Sequence, residues 1–382
     1  MIKYANRLES VEEYYFSKKL REVKSLIKKG KPIINLGVGS PDLLPPNDVI
    51  NALKKSIGDP DSNRYQSYSG IEELRISISN FYKKKFNVEL NYDSEILPLL
   101  GSKEGIMHIS LAFLNPGDSV LIPNPGYPTY ASISKLVEAN LIYYDLNSEN
   151  DWFPNIDSLK KMNLDKVKLM WINYPNMPTG SKCDKNDFKK LIQFTQKHNI
   201  LLVNDNPYSL ILNDSPLSIF NVSGAKKNCL ELNSLSKSYN MSGWRVGMVL
   251  GSDINISKIL KVKSNMDSGM FYPVQKGAIA ALNSSDKWFK SINKIYTERR
   301  LYVWELAQKL NCKVDENASG MFVWAKINND MSSTEFTDKL LYDHDIFITP
   351  GNIFGTNGNG YVRFSLCAKK EVIINAINRI NG

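Results

Sequence analysis

Ser234–Gly247 reads SLSKSYNMSGWRVG, and the rest of the 382-residue chain can be read outward from it. Lys237 stands three positions after Ser234 and one after Ser236, and Gly243, Trp244 and Arg245 follow it. A lysine amine is a nucleophile only without its extra proton, and one whose pKa is depressed by its neighbours condenses with aldehydes to a Schiff base. Hydroxyls and a guanidinium are the groups a phosphate needs. A reactive lysine beside a phosphate site suggests pyridoxal 5'-phosphate as cofactor. The plainer alternative is a strand end and glycine turn, with the serines capping the next element.

Length and composition narrow the field. A chain of this size supports a substantial core and two structural domains. Apolar residues make up 42%, with no run long enough to span a membrane. The opening MIKYANRLESVEEYYFSKKL lacks the apolar centre of a secretory signal, so a cytoplasmic enzyme is expected. Cys183, Cys229, Cys312 and Cys367 form no close pair and signal neither a metal site nor a disulfide framework. His108, His198 and His344 stand beside no candidate nucleophile. The net charge of +9 is spread along the chain, without a dense basic block or interleaved aromatics. That pattern suits a solvated lysine-rich surface, with no nucleic-acid or membrane partner.

Residues 10–30 carry a helical pattern ended by glycine, followed by IINLGVGSPDLLPP (33–46). An aromatic loop then leads into an amphipathic helix after Gly70. From residue 95 onward, short apolar runs alternate with helical stretches: ILPLLG, SVLIPNP, LIYYDL, KLMWINYP, ILLVNDNPY, CLELNS and VGMVLG. This is the signature of an α/β fold with a largely parallel sheet. Ligands gather at the carboxyl ends of such strands, where each of the following motifs falls. A long helical stretch is expected through residue 310, and a last helix near 333–343.

GSKEGIMH (101–108) offers a helix N-terminus to an anion, or is a plain N-cap. Tyr127, between prolines in PNPGYPTY, is held well enough to stack on a flat heterocycle, or is a buried loop aromatic. Asp205 in VNDNPY could pair with a pyridine nitrogen, or cap a loop. Gly37 and Gly39 permit close backbone approach, or only shape a turn. Arg363, in an apolar run of TPGNIFGTNGNGYVRFSLCA (349–368), needs an anionic partner, either a protein acid or a substrate carboxylate.

In order and wording these motifs, from residue 35 to residue 368, resemble the class I and II aminotransferases, the fold type I pyridoxal phosphate enzymes. GSKEG is especially similar to the LL-diaminopimelate branch and its aspartate- and alanine-type relatives. The resemblance implies a large cofactor-binding domain (37–283) with a mostly parallel seven-stranded sheet. A smaller α+β domain (284–382) would be joined by residues 1–36. Lys237 would carry the cofactor, with Ser102, Lys103, Ser234, Ser236 and Arg245 around its phosphate. Tyr127 would stack on its ring, Asp205 would pair with its nitrogen, and Tyr208 would bond its phenolic oxygen. Arg363 would clamp the substrate α-carboxylate, with Gly39 touching it through backbone. Tyr65 would reach across a homodimer interface to the partner's cofactor phosphate.

One position departs from the family. In NYPNMPTG (173–180), Met177 stands where the family has an asparagine that bonds the phenolic oxygen. A thioether cannot donate, so the pKa of the Schiff base is expected to rise. Asn173 and Asn176 lie nearby in sequence.

The implied reaction is ping-pong transfer of an amino group between an L-amino acid and a 2-oxo acid, with Lys237 also moving the Cα proton. A carbon–sulfur lyase working by β-elimination is the nearest rival. A non-catalytic ligand sensor is a more distant one, and no DNA-binding module fits before the Gly39 loop. Motifs for a cofactor leave the preferred side chain open.

Overall fold

The alternation of apolar runs and helices builds one large sheet in the computed structural model, which describes residues 2–381. The chain opens with α1 (Tyr15–Lys28) and a short β1 (Ile34–Asn35), then α2 (Asn47–Ser56) and α3 (Glu72–Phe86). Next come β2 (Ile96–Leu99), α4 (Ser102–Phe113), β3 (Ser119–Asn124), α5 (Pro128–Leu136) and β4 (Asn140–Asp145). They lead through α6 (Ile156–Lys160), β5 (Val167–Ile172), α7 (Lys185–Lys197) and β6 (Leu201–Asp205) to β7 (Cys229–Ser234). The one-turn α8 (Leu235–Ser238), β8 (Gly247–Leu250) and α9 (Asp253–Lys263) complete this part.

The seven strands lie in the order β2-β8-β7-β6-β5-β3-β4, and only β8 runs against its neighbours. Residues of β3, β7 and β8 are buried throughout, as expected of strands covered on both faces. Ile106, Ile109, Tyr130 and Ile259 from α4, α5 and α9 pack on one face with Trp171 and Leu232. Phe188 and Leu191 from α7 pack on the other with Met170 and Leu202. Strands β3, β5, β6 and β7 therefore deliver their last residues, Asn124, Ile172, Asp205 and Ser234, to one edge of the sheet.

The helical stretch expected through residue 310 is two helices, α10 (Tyr272–Leu282) and α11 (Lys287–Lys309). The break falls at Asn283-Ser284-Ser285-Asp286, side chains that compete for backbone hydrogen bonds; the Ser284 hydroxyl donates back to the Ala280 carbonyl at 3.0 Å. Beyond α11, β9 (Cys312–Val314) and β10 (Phe322–Ile327) precede α12 (Ser333–His344), β11 (Ile346–Phe347), β12 (Thr349–Pro350) and β13 (Tyr361–Ser365). Four of these strands form an antiparallel sheet in the order β12-β13-β10-β9. The expected helix near 333–343 is α12, but the chain closes with a further amphipathic helix, α13 (Lys370–Asn381).

The N-terminal segment lies against this second sheet's helices. β1 pairs in parallel with β11, Ile34 opposite Ile346. Val23 of α1 packs with Leu341 and Phe347, and the Lys19 ammonium meets Asp338 at 2.8 Å. No helix among the described residues is long and apolar enough to cross a membrane.

Candidate active site

A cavity of about 490 Å³ opens where the sheet edge meets the Gly37–Gly39 loop, the start of α1 and β13. That volume lies within the usual range for small-molecule sites. β7 ends at Ser234, whose hydroxyl caps α8, accepting from the Ser236 N–H at 3.0 Å and donating to the Val246 carbonyl at 3.3 Å. The capping alternative for this serine is thus realised while it also lines the cavity. The turn directs Lys237 inward, its Nζ 2.5 Å from the Gly39 carbonyl. Burial lowers the Lys237 pKa, and the Arg363 and Arg245 charges push the same way against an opposing influence from Cys367.

Arg245 and the start of α4 form a tight cradle. Gly101 has φ +92, and a Cβ there would sit 2.1 Å from Arg245 Nη2. Arg245 itself adopts φ +56 and donates from Nη1 to the Ser242 carbonyl at 2.8 Å. Ser102, Lys103 and Ser236 complete this end of the cavity. The Lys103 ammonium lies 4.5 Å from the Tyr14 ring centre, its pKa lowered by burial and by Arg245. Two cations at a helix N-terminus make an anion site.

Asp205, 4% exposed, closes the opposite side. Its Oδ2 accepts from the Tyr130 phenol at 2.8 Å, while Oδ1 has no partner. Burial pushes its pKa from 3.8 to about 7, with the Glu231 charge adding to the rise and the Tyr130 bond opposing it. Tyr130 is braced by stacking on Trp171, ring centres 4.9 Å apart. Asn173 donates to the Asp205 carbonyl at 2.5 Å and accepts from the Met177 N–H at 2.7 Å, so it pins the Met177 loop to the end of β6. Tyr208 also lines the cavity, and burial raises its pKa, keeping the phenol a neutral donor.

Arg363 is 4% exposed and forms no ion pair with an acid among the described residues. Its Nη2 donates to the Gly37 carbonyl at 3.0 Å, its Nη1 lies 3.1 Å from Met177 Sδ, and Nε has no partner. The rings of Phe322, Phe354 and Phe16 surround it at 3.9, 4.8 and 5.5 Å from the guanidinium carbon. Burial lowers its pKa to about 10. The protein-acid alternative raised for Arg363 is not realised among the described residues, which leaves Arg363 a buried cation open to an anion.

Gly39 packs closely under Phe322: a Cβ there would lie 2.2 Å from the ring, which would have to shift. Tyr127 stands in the cavity wall, edge-on to Tyr130 at 5.5 Å. Tyr65 is 91% exposed and is not among the residues that line this cavity. The structure thus gathers Gly39, Ser102, Lys103, Tyr127, Asp205, Tyr208, Ser234, Ser236, Lys237, Arg245 and Arg363 around one space. Asn173, noted from sequence only for its nearness to Met177, lines it too, as do Tyr14, Phe16, Tyr130, Phe322 and Phe354, which were not singled out. Tyr130 was legible, three residues after Tyr127 in the same motif; Tyr14 and Phe16 looked only like the start of a helix.

Glu104, His108 and Asp267 hold metal-type ligand atoms within 4.8 Å of one another. The buried Lys263 ammonium meets Asp267 at 2.9 Å, so this group reads as an internal ion-pair network.

The family described as aminotransferase class I and II matches residues 31–380. An LL-diaminopimelate aminotransferase from Maridesulfovibrio salexigens is 39% identical across 99% of this chain and 98% of its own. One from Aquifex aeolicus is 37% identical across 100% and 99%. The solved structure of BacF from Bacillus subtilis is similar with a TM-score of 0.95 at 34% identity, covering 100% of this chain and 98% of that one.

Proposed function

Because the chain belongs to the class I and II aminotransferases and is itself an aminotransferase, we propose that it holds pyridoxal 5'-phosphate at Lys237. In this reading it moves an amino group between an L-amino acid and a 2-oxo acid, as a homodimer in which Tyr65 completes the partner's phosphate site. The observation that carries the reading is a buried lysine of lowered pKa between an unpaired cation cradle and a carboxylate whose Oδ1 lacks a partner.

The residues fit the cofactor. Lys103, Arg245, Ser102, Ser236 and the start of α4 would hold its phosphate, Tyr127 would cover its ring, and the orphaned Asp205 Oδ1 would accept from its ring nitrogen. When bound, it supplies an aldehyde for the amine to condense with and a protonated ring that draws electrons from the substrate α-carbon. Tyr130 holds the Asp205 carboxylate in place. Tyr208 is the neutral donor left for the phenolic oxygen, since Met177 offers none. Arg363 takes the α-carboxylate and orients the Cα–H bond toward Lys237. The Lys237 amine, its pKa lowered by burial, takes the Cα proton and returns it as a general base and acid. The aromatic walls exclude water while that proton moves.

Relatives named as aminotransferases, and not lyases, support transfer over β-elimination. Their shared name makes LL-diaminopimelate the first donor to test. Borohydride reduction of the protein with pyridoxal phosphate, followed by peptide mass analysis, tests the anchoring. A phosphopyridoxyl group on Lys237, absent from Lys237→Ala, is the expected result. Labelling of other lysines only, or of none, overturns it.

A further inference from the structure

The outer wall of the cavity has no task in the chemistry above. Four cations line the cavity: Lys103 and Arg245 at the phosphate, Lys237 at the aldehyde, and Arg363 at the α-carboxylate. Asp205 is the one carboxylate among the described lining residues, and the ring nitrogen takes it. What remains around a substrate side chain is chiefly aromatic, and the charge lying on it is the Lys103 cation on the face of Tyr14.

That aromatic surface is continuous. Phe16 lies 5.5 Å from the Arg363 guanidinium and 5.5 Å from Tyr14, ring centre to ring centre. Tyr14 in turn carries Lys103 on its face and stands with Tyr127 in the cavity lining. Val38 belongs to the same wall. Met177 Sδ lies against the guanidinium, accepting from Arg363 Nη1 at 3.1 Å, and its thioether chain adds to the wall without a strong polar group. The wall is braced as well, because α1, which begins at Tyr15, is tied down through Lys19 to Asp338 and through Val23 to Leu341 and Phe347.

A substrate whose carboxylate sits on Arg363 and whose Cα faces Lys237 must lay its side chain along this wall. We propose that the wall selects L-amino acids with one carboxylate and a bulky apolar side chain, aromatic ones foremost, with Phe16 as a specificity-determining residue. The inference rests on the aminotransferase reading. LL-diaminopimelate would bring a second ammonium against a wall whose charge is the Lys103 cation and which has no second carboxylate among the described lining residues, and burying that ammonium without a partner is strongly unfavourable. An aromatic ring finds edge and face contacts there instead.

Two measurements separate this inference from the reading beneath it. In calorimetry with the cofactor-loaded protein, 3-phenylpropionate, which has the carboxylate and ring but no amine, should bind at least about tenfold more tightly than glutarate. In turnover with 2-oxoglutarate, kcat/KM for L-phenylalanine should exceed that for LL-diaminopimelate by roughly 100-fold. Phe16→Ala should lower the phenylalanine-to-alanine ratio of kcat/KM by about tenfold, mainly through KM, and Phe16→Leu should recover part of it. A preference for LL-diaminopimelate, as when the partner subunit brings charge to this wall, overturns the inference and leaves the aminotransferase reading standing. An unmoved ratio in Phe16→Ala overturns the role of Phe16. Ring-selective binding without turnover of any amino acid upholds the wall and sinks the reading.

Discussion

Replacing Asp205 by Asn takes one buried ionisation out of the cavity while keeping the side chain's shape. Without cofactor, the carboxyl holds one hydrogen bond, from Tyr130 at 2.8 Å, and burial raises its pKa from 3.8 to about 7. A group whose folded pKa lies above its unfolded value contributes fully below the unfolded value and loses that contribution as pH rises through the folded one. Ionised Asp205 therefore weighs against the cofactor-free fold by on the order of 4 kcal/mol, of which roughly 2–3 kcal/mol develops between pH 5 and pH 8. Urea unfolding of the cofactor-free wild type and Asp205→Asn at those two pH values reads this directly. The other titrating groups are common to both proteins and cancel in the difference. The wild type should lose about 2–3 kcal/mol relative to the variant on going to pH 8. Saturating pyridoxal phosphate should flatten that difference, because a protonated ring nitrogen at Oδ1 offsets the cost of the charge. Parallel pH dependences for the two cofactor-free proteins would refute the burial argument.

Three further outcomes are expected. Met177→Asn restores an amide beside the phenolic oxygen and should lower the pKa of the cofactor's visible band by roughly one unit; a spectrophotometric titration with no drop counts against the idea that Met177 weakens this contact. Gly101→Ala meets both the positive φ and Arg245, and should weaken pyridoxal phosphate binding at least about tenfold with a stability loss of about 1–3 kcal/mol; fluorescence titration at unchanged affinity would show that the cradle tolerates a side chain. Tyr65→Ala and Lys237→Ala should each be impaired at limiting cofactor, yet a mixture refolded together should regain about a quarter of wild-type activity, since one site of each mixed dimer is intact. An unrecovered mixture would remove Tyr65 from the shared site.

The sheet was legible because its strands are apolar runs punctuated by glycine and proline, and the motifs mark where each strand stops. Gly39 was readable as a place of close approach, although the ring it approaches, Phe322, was not; Gly101 was readable only as part of a helix N-terminus, and its approach to Arg245 was not. Contacts between distant segments were out of reach. Phe16, Phe322 and Phe354 come from three separated stretches and meet only around Arg363. The bond from Tyr130 to Asp205 spans 75 residues. The closing helix α13 was not among the helices expected, although the amphipathic run VIINAI just beyond the Arg363 strand carries its signal. Met177 was visible as a departure, but its seat against the Arg363 guanidinium depends on a loop held by Asn173.

The most direct test of the account is a single half-reaction. Cofactor-loaded protein, mixed with excess L-amino acid donor and no 2-oxo acid, should release one equivalent of product 2-oxo acid per Lys237 site and stop. Its yellow band should bleach, no ammonia should appear, and adding 2-oxoglutarate should restore both colour and turnover. Continuous release of ammonia without an acceptor, or no bleaching with any amino acid, would contradict it.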